Sequence, residues 1–199
     1  HSPLKFMAEA FEKYGNIGND DTIEGFMHLR KAHYMSGWDW GACLPDAGIF
    51  RPVSLLGVKK ARLDSVYIRQ RHEEEKVTLL LEVETELMEL DDTDYTYTVT
   101  VTDPDGQSQT YEGDPEAIEI HSPKLWWPNG LGDQPLYTVK VELFCAGELL
   151  DTWQKRIGLR TMTMHIEKDE WGESFAHEVK GKAGFAMGAD YIPEEHRLG

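Results

Sequence analysis

Gly37-Trp38-Asp39-Trp40-Gly41 sets two indoles around one carboxylate, between two glycines. Those residue types suit a sugar. An aromatic face stacks on the apolar C–H side of a pyranose, and a carboxylate accepts hydrogen bonds from paired hydroxyls. The same pentapeptide also reads as a loop whose Trp side chains plug a domain core and whose Asp caps a turn, since Trp is so often core. On residue chemistry alone both readings stand. A second aromatic group, Leu125-Trp126-Trp127-Pro128-Asn129-Gly130-Leu131-Gly132, falls between strands. Exposed, it would offer a sugar platform. Its expected role is packing against a neighbouring domain, because bulky Trp pairs anchor interfaces.

Other chemistries find little support. A retaining glycosidase needs two carboxyl groups about 5–5.5 Å apart. Acids run together at Glu73-Glu74-Glu75, Asp91-Asp92 and Glu194-Glu195. All fall in predicted loops or tips, where they read as solvated charge, so no catalytic residue is assigned. His28 and His33 are five apart and have no Cys cluster beside them. That misses the i, i+4 helical spacing, so no metal is expected. No Gly-x-Ser-x-Gly, phosphate-binding loop or dinucleotide fingerprint occurs, and no cofactor is expected. Asn16, Asn19 and Asn129 lack a Ser or Thr two places on, so none is a glycosylation acceptor.

Composition narrows the partners. The 199 residues allow one large domain or two small ones. A hydrophobic fraction of 40% and six Trp residues suffice for real cores. The net charge of −16 repels nucleic acid and anionic membranes, but not a neutral polysaccharide, and it also aids solubility. No apolar run is long enough to cross a bilayer, and no basic-then-apolar leader opens the chain. His1-Ser2-Pro3-Leu4-Lys5-Phe6 reads as mid-domain sequence, so the true N-terminus is expected elsewhere. With only Cys43 and Cys145, far apart, no disulfide framework is implied, and a reduced cytoplasmic setting is expected.

The elements that must position these groups change in character along the chain. Leu4 to Tyr14 suits a short helix or a strand edge, and Asn16 to Asp21 suits a loop. Gly48 to Gly57 is a strand-like apolar run. Residues 1–57 contain no complete set of elements. From residue 61 short alternating runs take over: Ser65–Arg71, Lys76–Leu87, Tyr95–Thr102, Ser108–Glu112, Ala117–Ile120, Leu136–Phe144, Leu149–Arg156 and Thr161–Ile166. Asp103-Pro104-Asp105-Gly106 and Ala146-Gly147-Glu148 supply turns. Seven or so strands at this spacing predict an all-β fold, an immunoglobulin-like β-sandwich without the antibody Cys…Trp…Cys pattern. Lys180-Gly181-Lys182 then predicts a hairpin leading into a further strand.

Several motifs together resemble glycoside hydrolase family 2, and its β-mannosidases in particular. Arg30-Lys31 with Gly37-Trp38-Asp39-Trp40-Gly41 and Leu44-Pro45-Asp46-Ala47-Gly48-Ile49-Phe50-Arg51 resembles the β-mannosidase motif. Leu125-Trp126-Trp127-Pro128-Asn129-Gly130 with Gln134-Pro135-Leu136-Tyr137 resembles the end of that family's Ig-like domain. Arg156-Ile157-Gly158-Leu159-Arg160 is similar to the arginine-bearing strand that follows it. Phe185-Ala186-Met187-Gly188-Ala189-Asp190-Tyr191-Ile192-Pro193 resembles the first strand of the catalytic barrel. The matches run in family order over nearly the whole chain. Departures are Asp190 where Asn is common, Gly184 where a larger apolar residue is common, and Ala42-Cys43 where a Pro is usual.

The resemblance implies a partial jelly-roll (galactose-binding-like) segment at residues 1–57, the Ig-like sandwich at 58–166, and the lead-in to a TIM barrel at 167–199. A cut through a jelly roll leaves strand edges unpaired, so residues 1–57 are expected to order poorly, or to pack on the sandwich or a symmetry partner. The resemblance further implies a retaining exo-glycosidase that releases terminal β-linked mannose from oligosaccharides. Trp38 and Asp39 would contact the sugar, with Arg30 and Trp40 as supports. The family's two catalytic glutamates lie on later barrel strands, so the chain by itself would be inactive and would pack on the barrel. A related β-galactosidase or β-glucuronidase, or a non-catalytic carbohydrate-binding or adhesion module, is the alternative.

Overall fold

The computed structural model describes residues 3–15, 22–37, 41, 43, 48–49, 51–88 and 94–191. The chain divides into two compact units, one of Leu56–Met187 and one of His1–Leu55 with Gly188–Gly199. None of the helices among the described residues is long and apolar enough to cross a membrane.

In the smaller unit, the helix-or-strand ambiguity resolves as helix α1, Pro3–Tyr14. Proline suits a first helical turn, where its missing N–H would have no partner. Gly15 closes the helix in the left-handed conformation, φ 79°, donating its N–H to the Phe11 carbonyl at 2.8 Å. Met7 is its buried anchor, while Leu4 and Phe6 stay exposed. Two 3-10 turns follow, Phe26–His28 and His33–Ser36. Gly25, φ 76°, enters the first of them, and a side chain there would run into the Met7 carbonyl. Glycine is what lets this turn lie against the helix.

The larger unit is a sandwich of seven strands: β1 (Ala61–His72), β2 (Lys76–Leu87), β3 (Tyr95–Thr102), β4 (Ser108–Tyr111), β5 (Ala117–His121), β6 (Tyr137–Cys145) and β7 (Glu148–Ile157). They form two antiparallel sheets, in the orders β1-β2-β5 and β4-β3-β6-β7. The fourth strand pairs with β3, whereas in constant-type Ig domains it joins the opposite sheet. Strict alternation sets the core. In β6, Tyr137, Val139, Val141, Leu143 and Cys145 all point inward, opposite Val77, Leu79 and Leu81 of β2. Bulges at Asp64 in β1 and Leu150 in β7 bend the edge strands. There the Asp151 carboxylate accepts the Leu63 N–H at 2.9 Å, tying one sheet to the other.

Tyr137, at the start of β6, is buried and accepts the Lys124 N–H on its hydroxyl at 3.0 Å. With the ring in the core, the hydroxyl ties down the loop after β5 through a partner 13 residues upstream, a role similar to the tyrosine corner of Ig-like sandwiches. Tyr137→Phe leaves the Lys124 donor without its acceptor. It is expected to lower stability by about 1–2 kcal/mol, read as a lower urea midpoint at unchanged slope.

A third, small sheet follows, β10-β9-β8, built from β8 (Met162–His165), β9 (Ala176–Val179) and β10 (Lys182–Gly184). The Lys180-Gly181 hairpin is present as the turn residues predict. Two predicted strands do not form among the described residues. Residues 51–57 and 185–191 pair with no neighbouring strand. Ile49, Val53 and Leu55 are 84%, 79% and 100% exposed, and Phe185 and Met187 are 91% and 78% exposed. Apolar character alone does not make a strand, because the ladder needs a partner on at least one side. Cys43 is exposed and Cys145 buried, and both are free thiols.

Candidate functional site

Of the four residues assigned to sugar contact or its support, the described residues include only Arg30. Trp38, Asp39 and Trp40 lie outside them. What the structure gives is the base from which the motif departs. Met35 and Ser36 are buried, the Met35 N–H reaches the Ala32 carbonyl at 3.2 Å, and the Ile23 N–H reaches the Ser36 carbonyl at 3.1 Å. Gly37 follows at φ 108°, a conformation that favours glycine. The chain thus arrives at Trp38 from a pinned turn.

Arg30 is exposed on the bend between the two 3-10 turns. It lines an open cleft of about 570 Å³ with Leu29, Lys31, Ala32, His33, Tyr34 and Arg51. Among the described residues this lining includes three permanent cations, Arg30, Lys31 and Arg51. His28 and His33 are held apart by different aromatic partners. His28 rests 5.5 Å from the Tyr14 ring, and His33 meets Phe26 edge-on at 5.0 Å. No metal-ligand cluster occurs among the described residues.

The acidic runs divide. Asp91, Asp92, Glu194 and Glu195 fall outside the described residues. Glu73 pairs with Arg71 at 3.3 Å and Lys76 at 3.6 Å on the surface, as solvated charge should.

In the structure the half-buried indoles of the second aromatic cluster touch residues 158–160 and the Lys180–Lys182 hairpin. Trp126 donates its backbone N–H to the Leu159 carbonyl at 3.0 Å, and its indole covers Gly158 so closely that a methyl there would sit 2.8 Å from Cγ. The Arg160 guanidinium stacks on the same indole at 4.5 Å. Trp127 is pressed against Gly132 and carries the Lys180 ammonium 3.1 Å from its ring centre. Sequence reasoning flags Gly158 and Arg160 as a motif but misses what they touch. Lys180 is legible only as a turn residue.

Comparisons with known proteins agree with this architecture. The model of Glycosyl hydrolases family 2 matches residues 61–160, half of the chain, and that of the Glycosyl hydrolase 2 galactose-binding domain-like family matches residues 1–51. Beta-mannosidase B of Emericella nidulans is 34% identical over 187 residues, 90% of this chain and 22% of that protein. Beta-mannosidase B of Aspergillus fumigatus is 34% identical over 179 residues, covering 86% and 21%. The crystal structure of Beta-D-Mannosidase from Dictyoglomus thermophilum superposes with a TM-score of 0.85 at 32% identity, over 98% of this chain and 25% of that one. The chain therefore spans about a fifth to a quarter of the length of these relatives. With half of its length matched by the family model, the chain belongs to glycosyl hydrolases family 2.

Proposed function

We propose that this chain is the non-catalytic portion of a retaining exo-glycosidase that hydrolyses terminal β-linked mannose from oligosaccharides. The observation that carries the reading is the likeness to Beta-mannosidase B and to the Dictyoglomus β-mannosidase over nine-tenths or more of the chain. In this reading residues 1–57 are the end of a jelly-roll sugar-binding domain, 58–166 the Ig-like sandwich and 167–199 the start of a TIM barrel. Side chains exposed between 162 and 187 support the last assignment. Met162, Trp171, Phe175, Phe185 and Met187 are 59–91% exposed, an apolar load that suits contact with a further domain. The proposed occupant is the catalytic barrel of the parent.

Trp38 stacks on the terminal sugar, Asp39 accepts hydrogen bonds from its hydroxyls, and Arg30 and Trp40 hold the loop. The acid/base and nucleophile glutamates belong to the parent's barrel, so the 199-residue chain hydrolyses nothing alone. Asp39→Ala in the parent removes charge-assisted hydrogen bonds worth about 1.5–3 kcal/mol, an expected drop of roughly 10- to 100-fold in kcat/KM on an aryl β-mannoside. Unchanged kcat/KM would remove Asp39 from the site.

A further inference from the structure

The third sheet has little core of its own and no place in that of the sandwich. All of β8 and β10 is exposed, and Val179 is the buried apolar side chain of the three strands. Neither the sandwich core nor the half-buried side chains packed on it include a residue of β8, β9 or β10. A small sheet without a buried face needs support from outside. Register shows where that support can act. Met162 and Lys182 both stand beside Val179, so the start of β8, the end of β9 and the start of β10 form one end of the sheet. The chain arrives at that end from the sandwich, and the Lys180-Gly181 turn lies there too.

Two adjacent indoles meet this end. The arriving segment is fixed on the first. Leu159 is buried in the sandwich core, and its carbonyl accepts the Trp126 backbone N–H at 3.0 Å. The Gln70 side chain of β1 donates to the Gly158 carbonyl at 3.0 Å and accepts the Arg160 N–H at 3.1 Å. The Arg160 guanidinium lies on Trp126 at 4.5 Å. The turn is held on the second. The Lys180 ammonium sits 3.1 Å from the Trp127 ring centre, with that of Lys182 at 5.0 Å. Lys180 Nζ is buried and has no hydrogen-bond partner. Its backbone is left-handed, φ 50°, as a two-residue type I′ turn requires and lysine tolerates poorly. An ammonium taken out of water without an acceptor is costly unless the ring offsets it. A turn lysine with no such partner would extend its ammonium into solvent.

We propose that Trp127 and Lys180 form the fastener that holds the third sheet on the sandwich. The Gln70 clamp and the Trp126 seat fix where the sheet begins, at residues 158–160. One attachment leaves a hinge, and the Lys180 seat closes it from the turn. The fastener rests on the sandwich and the hairpin alone, whatever sugar the parent cleaves. On the reading above, β10 leads into the first barrel strand, so the same pair sets how the barrel follows the sandwich.

Amide hydrogen exchange on this chain tests the fastener, with a double-variant cycle to isolate the pair. Lys180→Met keeps the stem on the ring and removes the charge. It is expected to lower the protection of β9 and β10 amides about tenfold, while those of β6 hold. Lys180→Arg keeps a cation for the indole and should retain most of the protection. Trp127→Leu should cost the hairpin a similar factor. Combined with Lys180→Met it should cost little more, because both changes remove the same contact. If Trp127→Leu opens β6 as well, the comparison of Met with Arg at position 180 decides alone. The proposal is overturned if Lys180→Met leaves the hairpin protected or opens β6 with it, if Lys180→Arg loses as much as Lys180→Met, or if the two single losses multiply in the double variant.

Discussion

Leu79→Ala is expected to lower the stability of the sandwich by about 2–5 kcal/mol. Leu79 is fully buried in the middle of β2, and its strand sits between β1 and β5. Its side chain packs in the cluster formed with Val99, Ile118, Val139 and Val141, which draws on both sheets. Alanine removes three heavy atoms from this layer. The loss is the transfer energy of those atoms plus the cavity left behind, because strands held by ladders on both sides cannot close up around it. Denaturation in urea should show a lower midpoint with an unchanged slope. A change within ±0.5 kcal/mol would mean that the two sheets do not share one core.

Gly158→Val tests the opposite failure, overpacking, and is expected to cost about 1–3 kcal/mol. A Cβ at 158 would meet three atoms of Trp126 at 2.8–2.9 Å. The backbone at Trp126 is fixed by its N–H bond to the Leu159 carbonyl, and the Arg160 guanidinium lies on the indole at 4.5 Å, so relief requires both the ring and its stacked cation to move. The Gly158 carbonyl also receives the Gln70 amide, so a shift of the backbone would break that bond. A lowered unfolding midpoint, with the near-ultraviolet tryptophan signal altered, is the expected result. A fully stable variant would show that the Trp126 seat has slack.

How far the sequence discloses this molecule depends on the range of the contacts involved. Alternation makes β2, β3 and β6 legible almost to the residue, because each buries one face and period 2 leaves little freedom. Asp103-Pro104-Asp105-Gly106 and Lys180-Gly181 are legible as turns for a similarly local reason. Residues 48–57 and 185–193 mislead. Their apolar runs look like strands, yet the described parts join no strand ladder, and pairing is not a local property. The Trp126–Trp127 corner is half legible. Its residue types announce a packing anchor, but Gly158, Arg160 and Lys180 come from elsewhere in the chain, and nothing in their own neighbourhoods points to an indole. Of the sugar-contact motif, residue chemistry leaves two readings open, and resemblance chooses between them.

The most direct test of the account is hydrolysis of p-nitrophenyl β-mannoside by the full-length parent, set beside the matching β-galactoside and β-glucuronide, with the 199-residue chain as control. The account predicts cleavage of the mannoside by the parent, little or none of the other two, and no activity from the chain alone. Preference for the galactoside or glucuronide, or a parent inert on all three, would contradict it.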